Sequence, residues 1–175
     1  MPYLFNDPLL LSLIKGVIGA NGSFLYENGN YTFDHFINFD DVVDIYNYTN
    51  KHNMSVVFFP RGGAYSSFKD TERYEKFLFY NPMPTVQISD ISMIKEQIEL
   101  VCLYTPVDTI DPMIPLFKNV TIYKWGASGA DIVNNKATKG KAINHLIREK
   151  GYQYENTYAI GDGLNDIEMF KVVNT

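Results

Sequence analysis

The sequence contains a single cysteine, and this scarcity excludes one route to stability. Cys102 is the only cysteine among 175 residues, so the chain cannot form an internal disulfide. It lies in the apolar run Leu100–Tyr104, where a thiol usually behaves as a small buried hydrophobic group. We therefore expect a reducing, cytoplasmic setting and a fold held together by its hydrophobic core.

Basic residues are also scarce. Lys and Arg number 15 against 20 Asp and Glu, which gives a formal net charge of −5. The densest basic stretch, residues 136–141, contains three lysines. Because sequence-independent binding to polyanions depends on clustered positive charge, we expect no nucleic-acid partner.

Long hydrophobic runs are lacking as well. The apolar start Leu9–Ile14 ends at Lys15, and no Lys or Arg precedes it. A signal peptide needs a basic flank and a longer apolar region, and a membrane-spanning helix needs about 20 residues. We interpret this segment as a buried helix and expect no membrane partner.

What the chain does contain is an alternation of strand and helix patterns, with 46% hydrophobic residues. The predicted strands are Lys15–Phe24, a hairpin around Asn28-Gly29, Ser55–Phe59 resuming at Ala64-Tyr65, Ile98–Tyr104, Val120–Trp125, Ala130–Val133 and Tyr158–Ile160. The predicted helices are Phe39–His52, Asp70–Phe79, Ser92–Gln97, a short one in Asp108–Lys118 and one that begins after Thr138.

The helix after Thr138 has the clearest end signals. Thr138 is a good N-cap, and Gly151 suits the left-handed position that ends a helix. The helix leads to the short strand Tyr158–Ile160 and then to a second helical pattern. Helix, strand and helix in this order predict a right-handed parallel α/β unit.

An acidic glycine turn follows that strand, Gly161-Asp162-Gly163-Leu164-Asn165-Asp166. In a parallel α/β sheet, ligands bind at such strand ends. Two carboxylates and a carboxamide are oxygen ligands, which Mg²⁺ prefers in proteins. The residues therefore predict a magnesium site.

Together these segments resemble a known family. Thr138-Lys139-Gly140-Lys141-Ala142 and the turn 161–166 resemble the third and fourth motifs of the haloacid dehalogenase (HAD) superfamily. The opening Gly16-Val-Ile-Gly-Ala-Asn21-Gly22-Ser is similar to the strand and turn that precede the cap in the Cof-type sugar-phosphatase branch. P-type ATPases share the acidic turn but have transmembrane helices, and phosphoserine phosphatases carry their cap earlier.

The resemblance implies an α/β fold with an inserted domain. Residues 1–37 and 135–175 would form a partial HAD-like Rossmannoid core, truncated at both ends. Residues 38–134 would form an α+β cap domain of the Cof (C2) type. Core strands that lack neighbours would expose sheet edges, which are open to self-association.

The resemblance also implies an activity, the Mg²⁺-dependent hydrolysis of a small phosphorylated metabolite such as a sugar phosphate through an aspartyl-phosphate. Lys139 would neutralise the nucleophile and the phosphoryl oxygens. Asp162 would bind Mg²⁺, and Asp166 would hold it directly or through water. Asn165 would orient Lys139 or a phosphoryl oxygen, with Gly163 in the same phosphate-binding turn.

The family's nucleophile segment, Asp-x-Asp-x-Thr, does not occur in the sequence. We expect that segment upstream of Met1, and we expect the chain to be inactive alone. Two alternatives remain open. The chain could be a non-catalytic fragment that binds a ligand or a partner, or another polypeptide could supply the missing segment.

Outside the motifs, a few other residues could take part in binding or catalysis. Arg61 and Tyr65 could contact substrate from the cap, because Arg binds anionic oxygens in pairs; the alternative for Arg61 is a solvent-exposed turn. The three histidines show no metal-ligand spacing. We expect Trp125 to pack in the core or cap and not to act as a stacking platform.

Overall fold

The computed structural model describes residues 9, 12, 14–80 and 84–174. Its strands are β1 (Gly16–Gly19), β2 (Phe24–Glu27), β3 (Asn30–Asp34), β4 (Ser55–Pro60), β5 (Tyr65–Ser67), β6 (Val86–Gln87), β7 (Ile98–Tyr104), β8 (Val120–Trp125) and β9 (Gly129–Asn134).

Residues 14–80 and 84–174 contain, besides the strands, five α-helices and five single-turn 3-10 helices. The helices are α1 (Phe39–Lys51), α2 (Thr71–Tyr80), α3 (Val107–Ile110), α4 (Lys139–Lys150) and α5 (Ile167–Phe170). The 3-10 turns are Ala20–Gly22, Ile91–Met93, Ile114–Leu116, Tyr154–Asn156 and Leu164–Asp166.

The first three strands form a small antiparallel sheet in the order β1-β2-β3. The turn between β2 and β3 is Asn28-Gly29, and both residues have positive φ, 50° and 82°. Such values fit a tight hairpin turn whose twist matches the strands that it joins. The hairpin predicted from the Asn-Gly pair is therefore confirmed.

The other six strands form a second sheet in the order β6-β5-β4-β7-β9-β8. All its neighbours are antiparallel except β5 and β6. Residues 55–134 supply this sheet, which lies within the range proposed for the cap. The predicted turn after Ser55–Phe59 is present, because β4 and β5 pair as two adjacent strands.

Alternate residues of the six-stranded sheet build two separate cores, as the period of two in a strand requires. One face packs against α1 through buried side chains that include Val42, Ile45, Val56, Phe58, Val101, Leu103 and Ile132. The opposite face of β4 and β5 packs against α2 through Val57, Ala64 and Phe77. α2 covers only that part of the second face, so Cys102, Trp125 and Asp131 are left to contact other segments.

The two sheets are joined by specific backbone and side-chain contacts. Ile37 forms an isolated antiparallel bridge to Ile98. The Ser23 hydroxyl donates to the Glu99 carbonyl at 2.8 Å, and both residues are buried. These contacts place the turn after β1 against the second face of the large sheet.

Three predictions of local structure need correction or lie outside the description. Tyr158–Ile160 is not a strand: no described strand pairs with it, and Ile160 is 98% exposed. The expected parallel helix–strand–helix unit is therefore not formed, because a strand needs a hydrogen-bonding neighbour. Ser92–Gln97 forms only the 3-10 turn Ile91–Met93, which the Asp90 side chain caps at Ser92. The buried helix predicted for Leu9–Ile14 lies largely outside the described residues, and Leu9 itself is 70% exposed.

In the described part of the chain, no helix is both long enough and apolar enough to span a bilayer.

Candidate phosphoryl-transfer site

Lys139 lies at the start of α4, where the predicted cap is present. The Thr138 hydroxyl accepts a hydrogen bond from the Lys141 amide at 3.2 Å, and Gly151 ends the helix with φ of 67°. Thr138 is buried, and the Lys139 side chain is about a quarter exposed. The helix start therefore fixes the Lys139 backbone and leaves its ammonium group accessible.

Two glycines allow the start of α4 to be approached closely from both sides. A Cβ at Gly22 would lie 2.3 Å from the Thr138 carbonyl carbon. A Cβ at Gly140 would lie 2.4 Å from the Glu168 carbonyl oxygen. Any larger residue at either position would separate α4 from the turn after β1 or from α5. The packing reason for both glycines could not be read from the sequence.

Asp166 is the centre of the site. It is 6% exposed, and its Oδ1 accepts a hydrogen bond from Lys139 Nζ at 2.5 Å. Its Oδ2 accepts from the amides of Asp162 at 3.1 Å and Gly163 at 3.0 Å. The ion pair with Lys139 and these amides hold the pKa of Asp166 below its usual value. Asp166 thus closes the acidic turn and fixes Lys139 beside it.

Asp162 is placed differently. It is exposed, and its carboxylate accepts no hydrogen bond from the described residues. Asp166 fixes the backbone of this turn, and a free carboxylate on a fixed turn can bind a cation together with water. This arrangement suits Mg²⁺. Within residues 14–80 and 84–174, no group of three His, Cys, Asp or Glu side chains is arranged to hold a metal. Asp162 therefore fits as one ligand of an incomplete magnesium site.

Asn165 is oriented by two residues that the sequence did not mark for chemistry. Its Nδ2 donates to Asn21 Oδ1 at 3.0 Å, and Asn21 Nδ2 donates to Asp131 Oδ2 at 2.6 Å. The other oxygen of Asp131 accepts from Cys102 Sγ and Trp125 Nε1, each at 3.0 Å. The acidic turn is thus joined to β9 of the large sheet.

The carboxylate of Asp131 sets the direction of this chain of hydrogen bonds. An ionised carboxylate only accepts, so Asn21 presents its amide nitrogen to Asp131 and its oxygen to Asn165. Asn165 must then present its nitrogen to Asn21. Its own Oδ1 lies on the other side, 2.5 Å from the position that a Cβ at Gly163 would occupy. Gly163 therefore leaves room for the Asn165 carboxamide, whose Oδ1 is the acceptor on the side of the acidic turn.

Cys102 is buried, as the sequence predicted, and it has a partner. Burial raises the pKa of the Cys102 thiol well above its usual value, and the nearby Asp131 carboxylate adds to this effect. The thiol therefore stays protonated and donates to Asp131, a contact that links β7 to β9. No pattern in the sequence pointed to this contact, because the two residues are 29 positions apart.

Arg61 is bound within the protein. Its Nε donates to Glu99 at 2.7 Å, its Nη2 pairs with Asp34, and its Cζ lies 3.5 Å from the centre of the Tyr31 ring. These contacts join the turn after β4 to β3. Arg61 thus lies in an exposed turn, as the alternative predicted, but its guanidinium is paired within the protein.

Tyr65 also has an internal partner, because its hydroxyl bonds to the Glu96 carboxylate at 2.9 Å. None of the contacts of Arg61 or Tyr65 involves Lys139, Asp162 or Asp166. The structure therefore brings together the residues of the third and fourth motifs. The substrate role of Arg61 and Tyr65 remains a prediction without a contact to support it.

We expect Asp166→Asn to lower the free energy of unfolding by about 2 kcal/mol at pH 7, because charge-assisted hydrogen bonds are lost. The folded pKa of Asp166 is depressed, so its contribution is present above the unfolded carboxyl pKa and is lost as pH falls below about 4. Urea unfolding from pH 7 to acid should therefore show a flatter pH dependence for Asp166→Asn than for the wild type. Asp162→Asn is the matched control, and an equal change in that variant would contradict the assignment.

The sequence profile of the haloacid dehalogenase-like hydrolase family matches residues 5–175. The chain belongs to this family. A provisionally named phosphatase from Haemophilus influenzae is 33% identical over 69 residues, which are 37% of this chain and 25% of that protein. A provisionally named phosphatase from Streptococcus pyogenes is 25% identical over 166 residues, 90% of this chain and 61% of that protein. The chain thus spans less than two thirds of the length of these relatives.

Solved structures establish the fold of this HAD-like chain. A haloacid dehalogenase-like hydrolase from Bacteroides thetaiotaomicron superimposes with a TM-score of 0.83 at 17% identity, over 98% of this chain and 68% of that one. A HAD subclass IIB sugar phosphatase gives 0.81 at 22% identity, over 98% of this chain and 65% of that one. The architecture is therefore that of the Cof-type branch, as the motifs predicted.

Proposed function

We propose that this HAD-family chain supplies the lysine and metal half of a site that hydrolyses small phosphomonoesters. The observation that carries the proposal is the 2.5 Å contact between Lys139 and Asp166, since Asp166 also holds the backbone amide of Asp162 and so ties the ammonium group to the acidic turn. Phosphoryl transfer is catalysed mainly by positioning and by charge neutralisation, and a fixed cation next to a metal ligand provides both.

In this proposal, Lys139 binds the phosphoryl oxygens and offsets the repulsion between them and an attacking carboxylate. Asp166 is a positioning residue, since both of its oxygens are engaged by Lys139 and by the turn. Asn165 contributes an acceptor on the side of Gly163. Of the two expectations for Asp166, that it holds Mg²⁺ directly or through water, this proposal adopts the second, because each of its oxygens already accepts a hydrogen bond.

Mg²⁺ would be held by Asp162 and by water, and it would supply further charge neutralisation at the phosphoryl group. Among the described residues, no group of carboxylates completes this sphere, so we expect the remaining ligand from the nucleophile segment. A sequence with a single cysteine needs no oxidising compartment for an internal disulfide, and we therefore propose a cytoplasmic location.

The substrate class proposed is a small phosphorylated metabolite. The relative of known structure described as a sugar phosphatase supports a sugar phosphate as one member of this class. The second candidate function is a non-catalytic ligand-binding module. Two observations favour this function. The sequence lacks Asp-x-Asp-x-Thr, and residues of α2 and of the six-stranded sheet line a cavity.

We expect this chain alone to show no saturable hydrolysis of p-nitrophenyl phosphate in the presence of Mg²⁺. Lys139 and Asp162 can position a phosphoryl group, but the sequence offers no carboxylate in the family's nucleophile motif. The measurement is steady-state release of nitrophenol, with Asp162→Ala as the control for contaminating phosphatase. Saturable turnover that disappears in Asp162→Ala would contradict the expectation and indicate another nucleophile.

A further inference from the structure

A cavity of about 440 Å³ lies between α2 and the ends of β7 and β8, away from Lys139. Its walls are largely aromatic, and two cations of α2 lie at its edge. The lining residues used below are Arg73, Lys76, Phe77, Tyr80, Tyr104 and Trp125. None of these residues belongs to the third or fourth motif.

Trp125 is held in a fixed orientation on one side of this cavity. Its indole lies directly on the strand at Gly129, where a Cβ would fall 2.1 Å from the ring. Its Nε1 donates to Asp131, and Tyr104 meets the ring edge-on at a centroid distance of 5.5 Å. Even so, Trp125 is 36% exposed. An aromatic ring that is fixed on several sides and still open to a cavity is preorganised for stacking.

The opposite side of the cavity carries positive charge. Arg73 and Lys76 are three residues apart on α2, so both side chains lie on the same face of the helix. The Arg73 guanidinium has only long contacts, 3.7 Å to Asp70 and 3.4 Å to the Tyr104 carbonyl. No described residue bonds to the Lys76 ammonium group. The Lys76 ammonium group is therefore available to an anionic group, and Arg73 can exchange its two long contacts for two hydrogen bonds to the same anion.

We propose that this cavity binds a small organic anion with a planar aromatic ring, the ring stacking on Trp125 and the phosphate or carboxylate binding Arg73 and Lys76. The walls suit an aromatic ring, because four of the nine lining residues, Phe77, Tyr80, Tyr104 and Trp125, are aromatic. The hydroxyls of Thr105 and Ser128 could pair with only part of the hydroxyl groups of a sugar, and unpaired groups disfavour binding.

This site does not depend on the proposed hydrolysis. Its lining residues are distinct from Lys139, Asp162 and Asp166. This inference departs from the prediction that Trp125 packs in the core or cap and is not a stacking platform, since the ring packs on Gly129 and also lines the cavity.

The sole tryptophan makes the binding test direct, because the intrinsic fluorescence of the chain comes from Trp125 once tyrosine is not excited. The full chain is titrated with AMP, adenosine and glucose 6-phosphate. AMP should change the fluorescence saturably, and its apparent affinity should exceed that of the other two by about tenfold or more. Equal affinity for all three probes, or no response to AMP, would overturn the proposal.

The location is tested with variants. Arg73→Ala combined with Lys76→Ala should weaken AMP binding about tenfold or more, and both side chains are exposed, so the fold should be retained. The charge-matched control, Lys51→Ala with Lys118→Ala, should change the affinity less than about twofold. Lys139→Ala should also leave it unchanged. If Lys139→Ala abolishes the response and the cavity variant does not, AMP binds at the phosphoryl site and the cavity assignment is wrong.

Discussion

Lys139→Ala is expected to lower kcat at least about a hundredfold in a form of the protein that carries an Asp-x-Asp nucleophile segment fused upstream. In that form we expect Mg²⁺-dependent hydrolysis of p-nitrophenyl phosphate. Asp162→Asn should lower kcat to a similar extent, because Lys139→Ala removes the cation that faces the phosphoryl group and Asp162→Asn weakens the binding of Mg²⁺.

The expected size of the effect follows from electrostatics. A carboxylate that attacks a phosphate dianion meets strong repulsion, which a fixed cation offsets most in the transition state. Removing one preorganised charge of this kind costs about 3 kcal/mol of transition-state stabilisation, and each 1.4 kcal/mol corresponds to about a tenfold change in rate. Lys139 is well preorganised, since Asp166 holds its ammonium group at 2.5 Å.

The control is His145→Ala on the same helix. His145 contacts the Phe33 ring and none of the motif side chains, so kcat should change little. If the fused form is active and Lys139→Ala remains within a few-fold of its parent, the third motif is misplaced. Lys136 and Lys141 would then be the next candidates, although Lys141 already donates to the Asn135 carbonyl at 2.7 Å.

Gly22→Ala should lower the free energy of unfolding by about 3 kcal/mol or more. Gly22 has φ of 99°, which disfavours any residue with a Cβ. The added methyl would also lie 2.3 Å from Thr138 backbone, which cannot rotate away as a side chain can. The start of α4 must therefore move, and Lys139 moves with it.

Gly29→Ala separates these two effects. Gly29 also has positive φ, 82°, but a Cβ there meets no atom within 4 Å. It should lose only about 1 kcal/mol, the usual conformational penalty. Urea unfolding measures the loss in the free energy of unfolding for both variants. A loss in Gly22→Ala no greater than in Gly29→Ala would show that the contact with Thr138 does not constrain the fold.

Features that depend on neighbouring residues in the chain were predictable. The Asn28-Gly29 hairpin, the Thr138 cap and the Gly151 terminator each rest on the local backbone preferences of one or two residues. The same holds for β7, whose apolar run Ile98–Tyr104 is buried from both sides and so shows no alternation. The site residues of the third and fourth motifs were found through their resemblance to a family.

Features that depend on distant partners were not predictable. Tyr158–Ile160 has the composition of a strand, yet β structure exists only where a second strand offers hydrogen bonds. Arg61 was expected in a turn and lies in one, but its ion pairs could not be predicted, because Asp34 and Glu99 lie 27 and 38 positions away. Asn21 and Asp131 carry no local signal at all for the orientation of Asn165.

The hydrogen bonds that orient Asn165 also bear on the order in which the molecule folds. Asn21 is 110 residues from Asp131 and 144 residues from Asn165 along the chain. Contacts with such separations close large loops and form late, after local hairpins and helices are in place. The acidic turn should therefore be among the last regions to become ordered, and a mutation that weakens either sheet should disturb the turn before the rest of the molecule unfolds.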